Sequence, residues 1–334
     1  MPYNAATLKD VAALAGVSVS TASRALAHSS RISEKTRDRV SKAAASLNYR
    51  PNIQARGLRN QKSNIIGLAI PSLVNPYFAS MAAAIQDQAT SYGQSTLIVT
   101  SNELELETAV YSLAQMRVDG MIVVPDLAAK NLLTSMVDAG TPIVLIDRDI
   151  PGSDFPCFAS DPVSGIEAAL RDLKSHGHSK IGYLSGPAAT TTGAQRLNAF
   201  TSICDTLDIS CDYVFRGGFE VELGRTGAEE LTKRGVTALI AGDSMMTLGA
   251  LDYCFQHEIH IGDELAFVGF DDLVYMRVQP VPISIIDQNV QDMGRRAHAG
   301  LLALLNGEDP PDDNRISPTT YIPRASTQCP PKTH

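Results

Sequence analysis

Hydrophobic and polar positions alternate in two different ways along this chain. From residue 65 onward, short runs that are almost wholly apolar are separated by longer stretches in which apolar residues recur every three or four positions. The short runs predict buried parallel strands, and the longer stretches predict amphipathic helices. The predicted strands are 65–70, 95–100, 120–124, 143–146, 180–184, 213–215, 239–241, 265–269 and 283–286. The predicted helices are 76–92, 103–117, 128–139, 163–175, 193–207, 223–234, 247–257 and 289–306.

This alternation of strands and helices continues through two halves of about equal length. The order predicts an α/β fold of two lobes, each a doubly wound parallel sheet with helices on both faces. Ligands of such folds bind in the crevice beyond the carboxyl ends of the strands. Binding residues are therefore expected in the loops that follow the predicted strands.

The first 60 residues follow a different pattern, in which two short helical periods are separated by a glycine. Thr7 is placed to cap the first helix, and Asp10 three residues later completes a capping box. Gly16 ends this helix and permits the positive φ of a sharp turn, and Ser18 caps the second helix. The apolar residues expected to face inward on the first helix are Leu8, Val11 and Leu14.

The two faces of the second helix differ in polarity. Ala22, Ala25 and Leu26 fall on one face, and Val19, Ser20, Ser23 and Arg24 fall on the other. Such a helix fits the major groove of DNA, where Arg24 can hold a guanine by two hydrogen bonds and Val19 can contact a thymine methyl group. The hydroxyls of Ser18, Thr21 and Ser23 can donate to phosphates. From this pattern alone, an ordinary helical hairpin on a protein surface is the alternative.

Charge is distributed unevenly along the chain. Residues 1–62 carry a net charge of +8, whereas the rest of the chain carries a net charge of −16. An acidic protein with one basic end is expected to bind a polyanion at that end. A basic tail without structure would give the same balance, but the helix caps and the periodicity favour a folded domain.

Three segments, LKDVAALAGVSVSTASRAL, YRPN and ARGLR, resemble the headpiece of the lac-repressor (LacI/GalR) family of bacterial transcription regulators. The resemblance implies a helix-turn-helix DNA-binding headpiece at 1–50 that ends in a third helix at 33–48. It also implies a linker at 51–62 that contains a hinge helix at 52–58. In this family the hinge becomes ordered when it binds operator DNA, which fits a glycine-containing, weakly helical segment.

Leu58 is the hinge residue that the resemblance singles out. In such repressors a leucine from each of two hinges wedges into the minor groove at the centre of the operator. An apolar residue in the basic segment ARGLR fits that role better than a role in a hydrophobic core. The expected DNA contacts are Thr7, Ser18, Val19, Ser20, Thr21, Ser23, Arg24, Arg31, Ser33, Thr36, Tyr49, Asn52, Ala55, Arg56 and Leu58.

The loops that follow the predicted strands carry aromatic, acidic, basic and amide side chains. They are Asn75, Tyr77, Phe78, Asp147, Arg148, Arg196, Phe219, Asp243, Asp271 and Gln288. Aromatic faces stack on sugar rings, and carboxylates and arginine forks bind hydroxyl groups in pairs. Taken singly, each residue also has an ordinary structural role, as a core aromatic or a solvated strand end. Gathered at one edge of two sheets, they predict a site for a small polar ligand.

Residues from 65 to about 324 also resemble the sugar-binding core that these repressors share with periplasmic binding proteins. The resemblance implies an effector-binding and dimerisation core at 63–334, with an N-lobe at 63–161 and 290–322 and a C-lobe at 162–289 and 323–334. The ten loop residues align with the pattern of the ribose-binding members, which have a phenylalanine at the position of Tyr77. This match implies that they form the effector site and that the effector resembles ribose.

Gly242 is a larger departure from the ribose-binding pattern. Those relatives have an asparagine where this chain has Gly242, just before Asp243. We expect the missing side chain to remove one hydrogen bond to free ribose and to leave space beside the ring for the base of a ribonucleoside. The expected effector therefore carries a ribose ring, and free ribose ranks modestly ahead of a nucleoside such as uridine.

The motifs of several common enzyme classes are missing from the chain. The segment GPAATTTGAQR lacks the GK[ST] of a P-loop, and no nucleophile elbow or zinc-protease motif occurs. No metal or cofactor is expected, because the seven histidines show no ligand spacing and the five cysteines form no CxxC pair. Scattered cysteines and the lack of a secretory segment or an 18-residue apolar run predict a cytoplasmic protein.

These expectations describe a transcription regulator that is not an enzyme, most simply a repressor of genes for sugar or nucleoside uptake and catabolism. Paired half-sites in palindromic operator DNA require a two-fold homodimer. No leucine heptads follow the core, so we expect a dimer rather than a tetramer. The alternative is a sugar- or nucleoside-binding sensor that acts without DNA, which would explain the core but not the basic headpiece.

Overall fold

The structure is a computed structural model of the full chain. It describes residues 6–26, 29, 31–49, 62–101, 105–312 and 315–331. Residues 1–63 and 64–334 form two compact units, which we call the headpiece and the core. The hinge helix predicted at 52–58 lies outside the described residues.

The described part of the headpiece contains three helices: α1 (Leu8–Leu14), α2 (Val19–Leu26) and α3 (Glu34–Ser46). The predicted caps are present. Thr7 Oγ1 accepts from the Asp10 N–H at 3.4 Å, and Asp10 Oδ2 accepts from the Thr7 N–H at 2.8 Å, which confirms the capping box. Ser18 Oγ accepts from the Thr21 N–H at 3.1 Å, and Gly16 turns the chain with a φ of +60°.

Small side chains dominate the core of the headpiece. The buried residues are Val11, Ala12, Ala15, Ala22, Ala25, Val40, Ala43 and Ala44, with Leu8 and Leu26 packed against them. The expectation that Leu14 faces inward is wrong, because its side chain is 58% exposed. Positions 8, 11, 12 and 15 share one helical face at ~100° per residue, and Leu14 lies to the side of that face.

The first lobe of the core, the N-lobe, is built on six parallel strands. They are β1 (Ile65–Ile70), β2 (Ser95–Thr100), β3 (Gly120–Val123), β4 (Ile143–Ile146), β5 (Cys157–Asp161) and β11 (Ile316–Pro318). Its helices are α4 (Pro76–Ser91), α5 (Leu106–Gln115), α6 (Lys130–Asp138) and α12 (Val290–Leu305). The strand order is β11-β5-β4-β3-β1-β2, and the β1 register sets Ile66 beside Thr96 on one side and Gly120 on the other.

The second lobe, the C-lobe, repeats this plan. Its strands are β6 (Ile181–Ser185), β7 (Val214–Arg216), β8 (Ala238–Ala241), β9 (Ala266–Phe270), β10 (Ser284–Asp287) and β12 (Thr320–Ile322). Its helices are α7 (Val163–Ser175), α8 (Thr191–Leu207), α9 (Val221–Lys233), α10 (Ser244–Gln256) and the one-turn α11 (Val274–Arg277), and a 3-10 turn spans Ala325–Thr327. The order is β12-β10-β9-β8-β6-β7, with only β12 antiparallel to its neighbour among the described strands.

Every strand and helix predicted for the core is present, with ends within three residues of the prediction. Three strands (β5, β11 and β12) and the short helix α11 were not predicted. These elements are three to five residues long and mix polar with apolar positions, so they give no continuous hydrophobic signal. Because β11 joins the N-lobe sheet and β12 joins the C-lobe sheet, the last crossing between lobes lies at Thr319 rather than at the expected residue 322.

Both faces of each sheet are covered by helices, as parallel sheets require. In the N-lobe, Leu68 and Ile70 pack on the side of α4 and α12, whereas Ala69 and Val123 pack on the side of α5 and α6. Helix packing thus occupies both faces of the strands, and the loops at the strand ends remain accessible to a ligand. Among the described residues, no helix has both the length and the apolar character needed to cross a bilayer.

Candidate effector site and nucleic-acid surface

Loops at the carboxyl ends of the strands meet between the two lobes and line a small cavity. All ten residues predicted for the effector site line it, together with Thr192 and Ser244: Asn75, Tyr77, Phe78, Asp147, Arg148, Arg196, Phe219, Asp243, Asp271 and Gln288. The cavity measures about 20 Å³, which is close to the space that one water molecule needs. A sugar ring therefore fits only after the lobes or the side chains move apart.

The start of α4 forms the N-lobe wall of the cavity. Asn75 caps this helix by accepting from the Tyr77 N–H at 3.0 Å, and Pro76 occupies its first position. The rings of Tyr77 and Phe78 pack edge to face with centroids 5.1 Å apart. Tyr77 donates its hydroxyl to Asp147 Oδ1 at 2.6 Å, and burial together with the nearby Asp147 raises the pKa of Tyr77. Tyr77 is thus a neutral donor that fixes the position of Asp147.

Asp147 and Asp271 occupy equivalent places in the two lobes, directly after β4 and β9. Both have a left-handed backbone, with φ of +70° and +64°, which is uncommon outside glycine but tolerated by aspartate. Both side chains are buried, at 5% and 3% exposure. The alternative that they are solvated strand ends is therefore excluded, and strained, buried acids in loops are typical of binding sites.

Arg148 connects the N-lobe wall to the C-lobe wall. Its Nε lies 3.4 Å from Asp147 Oδ2, and its Cζ lies 5.7 Å from the centroid of the Phe219 ring. Gly186 packs so closely on this ring that a β-carbon there would overlap it. The close approach at Gly186 lets the Phe219 ring occupy its place on the cavity wall.

Arg196, on the second turn of α8, is 5% exposed and is held from three sides. Its Nη1 donates to the Gly242 carbonyl at 2.8 Å, and its Nη2 donates to Gln288 Oε1 at 2.8 Å. Its Cζ lies 4.2 Å from the centroid of the Phe270 ring, a cation–π distance. The guanidinium is therefore fixed before any ligand arrives.

Gln288 joins the two lobes through its amide group. Its Nε2 donates to Asp271 Oδ1 at 2.7 Å, and its Oε1 also accepts from the Ser160 hydroxyl at 2.7 Å. Ser160 lies on β5 in the N-lobe sheet, and Asp271 follows β9 in the C-lobe sheet. This chain of hydrogen bonds ties the position of the Asp271 carboxylate to the relative position of the lobes.

Two of the cavity carboxylates, those of Asp271 and Asp243, have altered acidity. Burial raises the pKa of Asp271 to about 7, although Arg196 and the hydrogen bond from Gln288 favour the charged form. Burial also raises the pKa of Asp243 to about 6, and backbone N–H groups of α10 act in the opposite direction. Both groups are partly desolvated acceptors, so a ligand hydroxyl or N–H that donates to them replaces lost solvation.

The arrangement is chemically suited to a hydroxylated ring. Asp147 and Asp271 are buried acceptors, Arg148 and Arg196 are fixed donors, and aromatic rings line both lobes. Paired acceptors and donors hold adjacent hydroxyl groups, while the aromatic rings cover the apolar face of a sugar.

Thr192 and Ser244 line the cavity but were missed by the sequence analysis. Thr192 is 7% exposed, and among the described residues its Oγ1 has no hydrogen-bond partner. Ser244 Oγ lies 3.4 Å from Asn75 Oδ1 of the other lobe. Thr192 precedes Arg196 by four residues, so helical spacing from Arg196 was the signal that could have found it.

The expectation that Gly242 leaves space beside the ligand is wrong. A β-carbon at Gly242 would lie 2.5 Å from the Leu184 carbonyl oxygen and 3.0 Å from the Tyr183 hydroxyl. Gly242 therefore lies where two strand ends approach so closely that no side chain fits. The loop presents Asp243 and Ser244 to the cavity instead. Gly242 contributes only its carbonyl, which accepts from Arg196.

Two further polar side chains, those of Asp272 and His178, have structural partners. Asp272 binds Arg277 and Arg324, each at 2.6 Å, outside the cavity. His178 is bound through Nδ1 to the Thr237 hydroxyl and through Nε2 to the Cys329 carbonyl, both at 2.9 Å. In the part of the chain that the structure describes, no group of three or more His, Cys, Asp or Glu residues could hold a metal ion.

On the headpiece, α2 carries predicted DNA contacts on its open face. Val19 is 43% exposed and Arg24 is exposed, whereas Ala22 and Ala25 are buried on the opposite face, as predicted. Arg24 Nε donates to the Ser20 carbonyl at 3.3 Å, a contact that leaves the other guanidinium nitrogens for a base.

The remaining predicted DNA contacts lie around this helix or outside the described residues. Thr7 and Ser33 cap α1 and α3, and helix N-termini are favourable places for phosphates. Ser18 and Thr21 share a hydroxyl contact at 2.8 Å. Within the headpiece, Ser23, Thr36 and Tyr49 are half-buried and Arg31 is exposed. Asn52, Ala55, Arg56 and Leu58 lie outside the described residues.

Comparison with known proteins explains both units. The family model "Bacterial regulatory proteins, lacI family" matches residues 7–52, and the model "Periplasmic binding protein-like domain" matches residues 170–327. The ribose operon repressor of Bacillus subtilis (strain 168) is 31% identical over 331 residues, which cover 97% of this chain and 99% of that protein. The chain belongs to the lacI family of bacterial regulatory proteins.

Solved structures of lacI-family proteins share the fold. The crystal structure of the lac repressor dimer bound to operator and the anti-inducer ONPF matches with a TM-score of 0.84 and 26% identity, over 96% of this chain and 99% of that one. A probable LacI family transcriptional regulator from Corynebacterium glutamicum is 39% identical with a TM-score of 0.72, over 78% of this chain and 98% of that one. These matches confirm the predicted fold class and family.

Membership of the lacI family also decides between the functional classes that the sequence left open. This lacI-family member is a DNA-binding transcriptional repressor that responds to a small-molecule effector. Its relatives are regulators, which confirms that it is not an enzyme and overturns the alternative of a sensor that acts without DNA.

Proposed function

We propose that this lacI-family repressor controls genes for the uptake or catabolism of a sugar or nucleoside, and that its effector carries a ribose ring. The observation that carries the proposal is that all ten predicted residues line one cavity between the lobes. Tyr77, Phe78 and Phe219 offer aromatic surface to the ring. Asp147, Asp271 and Arg196 offer acceptors and donors for its hydroxyl groups.

Free ribose ranks ahead of a nucleoside such as uridine in this proposal. The reason for admitting a nucleoside was space at Gly242, and that space is filled by the approach of Leu184. A base would have to be accommodated by opening of the lobes alone. The sequence identity of 31% to a protein named ribose operon repressor supports the same ranking.

On the DNA side, the proposal is a homodimer on a palindromic operator. One α2 and one hinge cover only a half-site, and the lac repressor of the matched crystal structure is a dimer bound to its operator. Arg24 is proposed to read a base, and the caps Thr7, Ser18 and Ser33 are proposed to hold phosphates. Because the protein acts on the chromosome, its place of action is proposed to be the cytoplasm.

The ligand half of the proposal is tested by titration calorimetry of the full chain with ribose, uridine, adenosine, glucose and galactose. We expect ribose to bind most tightly. Tighter binding of a nucleoside than of ribose would overturn the ranking of the two ligands but not the proposal that the effector carries a ribose ring. Clear binding of a hexose, with no binding of ribose or of either nucleoside, refutes the ribose ring.

The DNA half is tested with palindromic sites that the protein itself selects from a random library. Gel shifts should show dimer binding to these sites, and Arg24→Ala should reduce their advantage over random DNA by ~1–3 kcal/mol. Arg171→Ala is the matched control, because Arg171 is exposed on α7 and pairs with Glu167 at 2.6 Å. Equal effects of the two variants would contradict the base-reading role.

A further inference from the structure

Asp243 is a buried carboxylate that has no Lys or Arg ion-pair partner in the part of the chain that the structure describes. Its side chain is 6% exposed, and its oxygens accept from the backbone N–H groups of Met246 at 2.8 Å and Met245 at 3.2 Å. Across the described residues, no Lys or Arg nitrogen lies within 4.0 Å of it. The N-terminus of α10 offsets part of the cost of burying this ionised carboxylate, and a further donor or positive charge from a ligand would offset more of it.

Asp271 shares this property on the same wall of the cavity. It is 3% exposed, accepts from the Gln288 amide, and has no ion-pair partner among the described side chains. Arg196 is the cavity cation of this lobe, but its Nη atoms donate to the Gly242 carbonyl and to Gln288. The positive charge of Arg196 is thus directed at neutral acceptors, and neither carboxylate is neutralised by contact.

The side chains that line the whole cavity also carry a net negative charge. Three aspartates and two arginines line it, which gives a formal net charge of −1. Asp147 is the aspartate with a cation in contact, since Arg148 lies 3.4 Å from it. The Thr192 hydroxyl, which has no hydrogen-bond partner among the residues described, adds a further polar group that a ligand can satisfy.

We propose that Asp243 is a charge-selecting residue of the effector site, which admits sugars with neutral or positively charged donor groups and rejects phosphorylated sugars. The proposal rests on the sugar-binding function proposed above and names the chemical class of the effector more narrowly. A phosphate brings a charge of about −1.5 to −2 and three acceptor oxygens, so it meets Asp243 with repulsion and with no donor. Two like unit charges separated by ~8 Å in a medium with an effective dielectric constant of ~20 repel each other strongly enough to weaken binding by about 30-fold.

Asp243 also caps α10, and a purely structural role must be separated from charge selection. Asparagine caps helices as well as aspartate does, so Asp243→Asn removes the charge and retains the cap. Asp87→Asn removes an exposed carboxylate from α4 and serves as the matched control. Asp243→Ser is a second neutral capping variant, to be used if circular dichroism shows that Asp243→Asn does not fold.

The experiment is calorimetric titration of the full chain and its variants with ribose and with ribose 5-phosphate. In the wild type we expect ribose 5-phosphate to bind at least about 30-fold more weakly than ribose. Asp243→Asn should reduce the ratio of the ribose 5-phosphate Kd to the ribose Kd by about tenfold or more, and Asp87→Asn should leave this ratio unchanged. Equal affinity for the two ligands in the wild type, or an unchanged ratio in Asp243→Asn, would overturn the proposal.

Failure of the ribose-ring proposal gives a different result. If glucose binds and ribose does not, the ribose ring is refuted, and the same comparison of variants is made with glucose and glucose 6-phosphate. A smaller ratio of the glucose 6-phosphate Kd to the glucose Kd in Asp243→Asn than in the wild type then supports charge selection. An unchanged ratio refutes it. Binding of no sugar at all by a folded wild type refutes both proposals.

Discussion

Arg148 of the N-lobe lies over the ring of Phe219 of the C-lobe, with 5.7 Å between its Cζ and the ring centroid. Such a cation–π contact contributes ~0.5–2 kcal/mol, depending on solvent exposure. Because the contact crosses the cavity, a ring bound between these two side chains must separate them, through movement of the lobes or of the side chains. Movement of the lobes would couple ligand binding to lobe position through this pair.

The Phe219 ring should contribute to effector affinity through stacking. Phe219→Ala is expected to weaken binding of the effector by ~1–3 kcal/mol, from lost apolar contact and lost aromatic geometry. Phe219→Tyr keeps the ring and should retain most of the affinity. Calorimetry on both variants makes the comparison, and equal loss in the two would show that the ring itself is not the contact.

Arg196 and Asp271 should be needed for the effector response and not for DNA binding. Arg196→Ala or Asp271→Ala is expected to abolish the change in operator affinity caused by the effector, because each removes fixed partners of ring hydroxyls. Operator affinity without effector should stay unchanged, as measured by fluorescence anisotropy. Loss of operator binding together with an altered circular dichroism spectrum would instead assign the residue a structural role.

Leu58 should matter for specific DNA and little for random DNA. A minor-groove wedge offsets unstacking of ~a few kcal/mol by letting both headpieces dock, so Leu58→Ala should weaken binding to the selected operator. Binding to random DNA rests on phosphate contacts and should hardly change. Competition gel shifts measure both, and an equal loss on the two DNAs would rule out the wedge.

The acidity of Asp271 predicts a pH-dependent contribution to stability. Its pKa is about 7 in the folded protein and ~3.9 in an unfolded chain, so the folded state binds the proton more tightly. The stabilisation that this proton provides is fully present below pH ~4 and is lost as the pH rises through about 7. The Asp271 contribution to the free energy of unfolding therefore falls with rising pH.

Asp271→Asn removes this titration and isolates it from all other groups. The free energy of unfolding of Asp271→Asn relative to wild type should rise with pH between 5 and 7, by up to ~1.4 kcal/mol per pH unit. Urea unfolding at several pH values gives the difference, and Asp87→Asn should show none. A difference for Asp271→Asn that stays constant with pH would contradict the assigned acidity.

The sequence predicted the buried strands well because each is a continuous apolar run. β1 and β4 begin and end at the predicted residues. The short crossing strands were missed since their pairing depends on distant partners: β5 pairs with β4 and β11, and β11 lies more than 150 residues away in the chain. Local pattern carries no signal for such a contact.

The effector cavity was likewise predicted in part and missed in part. Strand-end position was enough to gather residues such as Asp147 and Asp271 at one site, because the carboxyl ends of parallel strands share an edge. It could not show that Gly242 packs against Leu184, since this depends on the exact approach of two strand ends. Leu14 was misplaced for a related reason, because a three-helix headpiece core needs only a narrow face of α1.

The central claim is that a ribose-ring ligand in this cavity controls operator binding. The most direct measurement is the affinity of the full chain for its selected operator, followed by fluorescence anisotropy as ribose, uridine, adenosine, glucose or galactose is added. We expect ribose, or failing that a ribonucleoside, to change the operator Kd by about 5- to 150-fold in the wild type and to have no effect in Arg196→Ala. A change in operator Kd caused by a hexose alone, or an undiminished ribose effect in Arg196→Ala, would contradict the claim.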